Sequence, residues 1–319
     1  MESVKTPSIY QDFLRKKILV AGGRGFIGAA LCLRLAELGA EVLSLSLRNF
    51  SRQSDQEKIE QVVADIGDPG SLDRALSGRS FDYVFNAGGY IDHASFFGGG
   101  LRVIHSHYSG VLNLINACGP RIKRFVQIGS SDEYGNQPAP QREDLREAPI
   151  SPYSAAKTGV THLIQAMSKT EGYTGVVIRF FLVYGPGQAD NRFIPQIIKG
   201  CLDGRKFPTS QGRQLRDFCY ISDAVDGLLL AALRPEAVGR VINIASGNPV
   251  SIREVIEKIV QIVGTGQPEF GAYPYRPGEN MRLYADVTLA RKLLGWSASI
   301  SLDEGLRKTI AWYREHRHA

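Results

Sequence analysis

Cysteine is scarce in this 319-residue chain: Cys32, Cys118, Cys201 and Cys219 are all it has. None shares a C-x-x-C or zinc-type spacing, so reduced structural thiols are expected, not a disulfide scaffold or a metal centre. Long apolar runs are also missing. No stretch reaches bilayer-spanning length, and residues 1–16 mix charge with isolated apolar residues instead of forming a signal-peptide core. The chain is therefore expected to be soluble and cytoplasmic, with no membrane partner. Charge of one sign is nowhere concentrated: 38 Lys and Arg against 32 Asp and Glu leave +6, scattered along the chain. Without clustered arginines interleaved with aromatics no nucleic-acid partner is expected, whereas a mildly basic surface suits an anionic small substrate. Internal repeats and low-complexity linkers are absent as well. What remains is a 43% apolar composition, enough for a sizeable core in one large or two intimate domains.

The most informative stretch is Lys17 to Leu35. Ile18, Leu19 and Val20 read as a strand buried on both faces of a parallel sheet. Gly22, Gly25 and Gly28 follow at intervals of three, and Phe26, Ile27, Ala30, Leu31 and Leu35 continue with helical spacing. Glycine there lets the backbone turn sharply, admits a pyrophosphate to the N–H groups, and seats a helix closely on the strand. Strand, glycines and amphipathic helix together point to a dinucleotide site.

The spacing is G-x-x-G-x-x-G, and with Ala21 and Phe26-Ile27 it resembles the short-chain dehydrogenase/reductase superfamily, in its extended branch acting on nucleotide sugars. A second motif strengthens the likeness. Pro152-Tyr153-Ser154-Ala155-Ala156-Lys157 carries Y-x-x-x-K, which sets Tyr153 and Lys157 on adjoining turns of one helix face. It follows, by some twenty residues, a strand Arg124–Gly129 that runs into Ser130-Ser131-Asp132-Glu133-Tyr134-Gly135. An ammonium beside a phenol favours phenolate, so Tyr153 can exchange a proton near neutral pH. The resemblance assigns Lys157 also to the nicotinamide ribose and Ser130 to the same substrate oxygen as Tyr153. It implies an α/β fold, a Rossmann-type doubly wound parallel sheet with a smaller, discontinuous substrate domain. The expected division is 1–181 for the dinucleotide domain, with 215–245 returning to it, and 182–319 mainly for substrate.

Cofactor choice rests on the end of the second strand, Glu41–Leu47. Where an acidic residue would bind the ribose of NAD, register with the family places Ser46, and Arg48 follows. A hydroxyl removes repulsion against a 2′-phosphate and a guanidinium binds it in bidentate fashion, so NADP(H) is favoured and NAD(H) remains possible. Arg24 adds charge inside the glycine loop. Alternatively, Arg48 only opens the polar loop Asn49–Lys58. A third strand is expected over Val62–Ile66, whose end, Asp65 and Ile66, the resemblance places at the adenine; Asp65 equally suits the cap of a helix near Pro69–Ser71. The fourth strand, Phe81–Asn86, leads into Asn86-Ala87-Gly88-Gly89.

Two positions depart from the family. His107 and Leu182 stand where relatives carry asparagines. His105 and His107, two apart on a helix, face different ways, which suits structural or surface roles better than metal. In the second half, Arg216-Asp217-Phe218 with Tyr220 and Asp223 resembles R-D-F-x-x-V-x-D, and Arg276-Pro277-Gly278-Glu279 offers a second basic group. The resemblance matches Arg216 and Arg276 to a substrate diphosphate, with an ordinary ion pair of Arg216 to Asp217 or a neighbour as the alternative.

Three reactions share hydride exchange at the sugar, most often at C4: epimerisation, 4,6-dehydration and reduction. Dehydratases of this kind place Asp-Glu or Ser-Glu directly after the Ser/Thr to run the elimination. Here the pair is Ser131 and Asp132, and Asp132 is one methylene shorter than glutamate. The expectation is an NADP-dependent 4-ketoreductase of a nucleotide 4-keto-6-deoxyhexose, with dehydratase and 4-epimerase as alternatives. A homodimer is expected through helices around Val103–Cys118 and Pro152–Lys169, with Val111, Leu114, Ile115, Val160, Leu163 and Ile164 as the apolar faces, unless those faces cover the sheet.

Overall fold

The computed structural model describes residues 8–48, 59–92, 94–276 and 278–316. The expected loop Asn49–Lys58 and Pro277 of the Arg276 motif lie outside them. The chain divides into two compact units, 1–135 with 147–179 and 225–242, and 136–146 with 180–224 and 243–319.

The first unit is built on strands β1 (Lys17–Ala21), β2 (Glu41–Ser46), β3 (Ile59–Val63), β4 (Tyr83–Asn86), β5 (Arg124–Ser130) and β6 (Gly175–Phe180). With the strand Val241–Ile244 they form one seven-stranded sheet in the order β3-β2-β1-β4-β5-β6 and then Val241–Ile244. The pairs β1–β2, β1–β4, β2–β3 and β4–β5 are parallel. The order reverses between β1 and β4, the switch point outside which doubly wound sheets bind ligands.

Residues 18–21 of β1 are wholly buried, as a strand covered on both faces must be. Leu19, Val84, Phe125 and Val177 share one core with Val111, Leu114, Ile115, Val160 and Ile164. Of the six apolar residues put forward for a dimer, these five belong to the core over the chain's own sheet, and Leu163 is half-buried outside it.

The third strand starts earlier than its apolar residues suggest, at Ile59, and ends at Val63. Asp68, not Asp65, caps the helix Pro69–Leu76 by accepting from Gly70 N. Asp65 instead accepts from Gly67 N at 2.8 Å, closing a turn just beyond β3.

The second unit pairs Leu182–Tyr184 in parallel with Phe218–Tyr220. Val250–Ser251 and Arg282–Leu283 flank Leu215–Arg216, and the helices Phe193–Leu202, Ile252–Val263 and Leu302–Glu315 complete it. All four cysteines are free thiols. Among the described residues no helix is long and apolar enough to cross a membrane.

Candidate active site

The glycine loop is shaped by contact. Gly22 has φ +76, and a Cβ there would lie 2.5 Å from Ala87 O; a Cβ on Gly28 would lie 2.1 Å from Gly22 O. The loop thus sits directly against the turn after β4, and the helix Phe26–Glu37 sits directly on the loop. Gly25 is the N-cap and supplies no side-chain cap, so the first-turn N–H groups keep their capacity to bind an anion. A cradle that any Cβ would fill, ending in an uncapped helix N-terminus, fits the pyrophosphate of a dinucleotide. Ser46 ends β2, and its buried Oγ has no hydrogen-bond partner. A ribose hydroxyl or a phosphate oxygen is the kind of group that would satisfy it. Arg48 is exposed just beyond. Arg24 is turned to β3, donating from Nε to Gln61 Oε1 at 3.0 Å. Phe26 and Ile27 open the helix, and Ile66 packs near Gly88 and Gly110.

A hydrogen-bond chain leads from this turn to the Y-x-x-x-K helix. Gly88 N donates to Asn86 Oδ1 (3.0 Å), Asn86 Nδ2 to Gln127 Oε1 (2.9 Å), and Gln127 Nε2 to Ile128 O (2.8 Å). Lys157 Nζ donates to the same Ile128 O at 2.8 Å. The lysine is thereby fixed to the strand that ends in Ser130, and its Nζ lies 5.8 Å from the centroid of the Tyr153 ring. Burial pulls the Lys157 ammonium down to about 8, against the opposing effect of Glu133.

Tyr153 enters at the second residue of the helix Pro152–Glu171. Ser151 accepts from Ser154 N, Ser154 Oγ accepts in return, and Pro152 sits at N1. The signal for this capping box, S-P-Y-S, is local and readable, although the tyrosine it positions is the more conspicuous feature.

Ser130 caps the next turn. Its Oγ accepts from Asp132 N at 3.1 Å, while Ser130 N donates to Glu133 Oε1 at 2.8 Å. Ser131 is buried and Asp132 half-buried. Glu133, to which sequence reasoning gives no role, is fully buried against a fully buried Arg179. Nothing local marks it, because its partner stands 46 positions away.

His107 belongs to a π-helical turn, His105–Ser109, an irregularity often found at functional sites. His105 is exposed and His107 buried, as their spacing implies. The His107 ring stands edge-on to Tyr153, centroids 5.0 Å apart, and Nε2 donates to Tyr90 O at 2.7 Å. Burial, aided by the Lys157 charge and opposed by the Tyr90 hydrogen bond, pushes the imidazole down to about 3. It is a neutral wall beside the phenol at any ordinary pH.

In the second unit Arg216 is buried and ion-paired with Glu279 of the Arg276 motif. Asp217 accepts from Ser246 N, Ser246 Oγ and Gly247 N, and Asp223 from Ser299 and Ile300. Both aspartates of the motif act as staples. Arg276 is exposed. Leu182 opens its strand, donating from N to Asp217 O at 3.0 Å.

Known proteins share this chain's sequence pattern and fold. Residues 18–245 match the NAD dependent epimerase/dehydratase family. A dTDP-glucose 4,6-dehydratase of Streptomyces niveus is 29% identical over 317 residues, covering 94% of each chain. The UDP-glucose 4-epimerase of Thermotoga maritima, solved with UDP-glucose, superposes with TM-score 0.86 at 26% identity, covering 95% of this chain and 100% of that one. The UDP-glucuronic acid 4-epimerase of Bacillus cereus, solved with UDP-glucuronic acid and NAD, gives TM-score 0.84 at 26% identity, covering 94% and 99%.

Proposed function

The chain belongs to the NAD dependent epimerase/dehydratase family, and from that premise we propose that it is a nucleotide-sugar oxidoreductase working at sugar C4, a 4-ketoreductase of a nucleotide 4-keto-6-deoxyhexose. A nicotinamide dinucleotide held at the loop of Gly22, Gly25 and Gly28 would supply the hydride. Tyr153 exchanges the proton with the sugar oxygen, and the Lys157 ammonium holds the phenol acidic. Ser130 has its Oγ lone pair engaged by Asp132 N–H, which leaves its own proton to donate to that same oxygen. His107 excludes water from one side of the Tyr153 ring without adding a charge.

The observation that carries the choice of reaction is the fate of the acids after Ser130. Elimination needs an acid/base pair there. This chain has Ser131 and the short Asp132, and its one glutamate in the segment is buried under Arg179. Proton exchange at C4 requires no such pair. The uncharged Ser46 at the end of β2 and the exposed guanidinium of Arg48 just beyond it support NADP(H) over NAD(H). A second reading, 4-epimerase, is favoured by the likeness to the Thermotoga maritima enzyme solved with UDP-glucose.

Product analysis separates the readings. A nucleotide 4-keto-6-deoxyhexose should be reduced with one NADPH consumed per product. Interconversion of parent nucleotide hexoses without net cofactor use would make the enzyme an epimerase, and release of a 4-keto-6-deoxy sugar a dehydratase. Arg48→Ala should weaken NADPH by roughly 1–3 kcal/mol, the loss of one charged hydrogen bond, and leave NADH nearly unchanged. Equal weakening of both cofactors would remove the case for NADP.

A further inference from the structure

Glu133 makes contacts that no surface glutamate makes. Its Oε1 accepts from Ser130 N at 2.8 Å; its Oε2 accepts from Thr161 Oγ1 at 2.7 Å and Arg179 Nε at 2.9 Å. Arg179 Nη2 lies 2.8 Å from the same oxygen, and both side chains are fully buried. Space has been cleared for the carboxylate, since a Cβ on Gly129 would lie 2.6 Å from Glu133 Oε1. Thr161 stands one turn beyond Lys157, which stands one turn beyond Tyr153, so all three lie on one face of the helix Pro152–Glu171.

We propose that Glu133 is a positioning residue for the Tyr153–Lys157 pair: its carboxylate ties the strand end bearing Ser130 to the helix bearing Tyr153 and Lys157, and supplies the negative charge that keeps Lys157 an ammonium. The inference rests on the reading above that Tyr153 and Lys157 carry the proton chemistry. A buried ammonium is driven to lose its proton unless a negative charge is near. Lys157 Nζ is held at Ile128 O and Glu133 Oε1 at Ser130 N, two residues further along the same strand; the Tyr153 ring lies beside Nζ on its own helix, the Lys157 charge bears on His107, and the Glu133 charge bears on Lys157. His107 is neutral, so Glu133 is the carboxylate that offsets the burial. Arg179 does not cancel it outright, because Arg179 also bonds Glu147 Oε1 at 2.6 Å and lies over the Tyr134 ring. The guanidinium is thus shared between two carboxylates, of which Glu147 also lies 3.3 Å from His162 Nε2.

The test is the titration of Lys157, followed by NMR of ¹³Cε-labelled lysine in the full-length protein and assigned with Lys157→Met. In Glu133→Gln the Lys157 midpoint should fall by about one pH unit, the usual effect of one close opposite charge. The pH above which kcat declines should fall with it, while the Kd for NADPH stays within about twofold. Glu133→Asp, which keeps the charge and retracts it by one methylene, should show a smaller shift in the same direction; it serves also if Glu133→Gln does not fold. A purely structural Glu133 would lower the melting temperature and leave the Lys157 midpoint and the pH profile in place, and that result overturns the inference. Absence of turnover in the wild type with every nucleotide sugar would sink the proposed function, and the Lys157 titration would still decide the role of Glu133.

Discussion

Lys157 shows how a residue can cost stability where it is placed to act. Its folded pKa of about 8 lies below the ordinary 10.5, with burial the larger cause. Below pH 8 the ammonium is buried at full cost, about 3 kcal/mol for a depression of this size; as pH rises from 8 to 10.5 the cost is lifted, because only the unfolded chain still holds the proton. Lys157→Met should therefore raise the urea midpoint at pH 7, and the gain should shrink toward pH 10.5. The exchange leaves no orphan, since Ile128 O keeps its bond from Gln127 Nε2. The same variant should lose turnover and cofactor affinity together. Tyr153→Phe should lose roughly a hundred- to ten-thousand-fold in kcat with cofactor affinity intact, as expected when only the proton-transfer group is removed. A Lys157→Met protein less stable than wild type at pH 7, or a Tyr153→Phe enzyme with wild-type turnover, would contradict this account of the pair.

Among the elements, the helix Phe26–Glu37 is where sequence and structure agree most closely. Glycine, strand and helix spacing are local patterns, and each imposes its geometry within a few residues. Gly28 makes the point testable. Alanine normally stabilises a helix relative to glycine by about 1 kcal/mol, yet a Cβ at Gly28 would meet Gly22 O at 2.1 Å. Gly28→Ala should instead destabilise by roughly 1–3 kcal/mol, as overpacking against backbone does, and should weaken NADPH binding measured by nucleotide fluorescence. A raised urea midpoint would refute the close-packed loop. Features set by distant partners are not legible in this way. The start of β3 at Ile59 depends on pairing with Val42, and the segment shows little apolar signal of its own. Glu133 reads as an ordinary charged residue until Arg179 arrives from β6. Val111, Leu114 and Val160 read equally well as an interface or as the lining of a sheet, since periodicity shows that a face is buried but never against what.

At the scale of the whole chain, the first unit is assembled from three separate segments, and this bears on whether residues 1–181 can stand alone. Arg124 is buried on β5, and burial lowers its pKa. Its Nε donates to Ala232 O at 3.2 Å and its Nη2 to Arg234 O at 3.1 Å, while the buried Nη1 has no partner. The edge of β6 is likewise closed by the returning segment: Val177 N donates to Arg240 O at 2.9 Å and Gly239 N to Gly175 O at 2.7 Å. Cutting after residue 181 removes all of these at once. It takes from Arg124 its two carbonyl acceptors, a loss of roughly 1–3 kcal/mol, and leaves an apolar sheet edge open to water and to other chains. Those losses fall on a net stability of only about 5–15 kcal/mol for a whole domain. The fragment 1–181 should therefore be aggregation-prone and show no cooperative urea transition by circular dichroism, whereas the full chain should show one. A soluble fragment with a sigmoidal transition and bound NADPH would mean that the glycine loop and the first six strands carry the unit's stability by themselves.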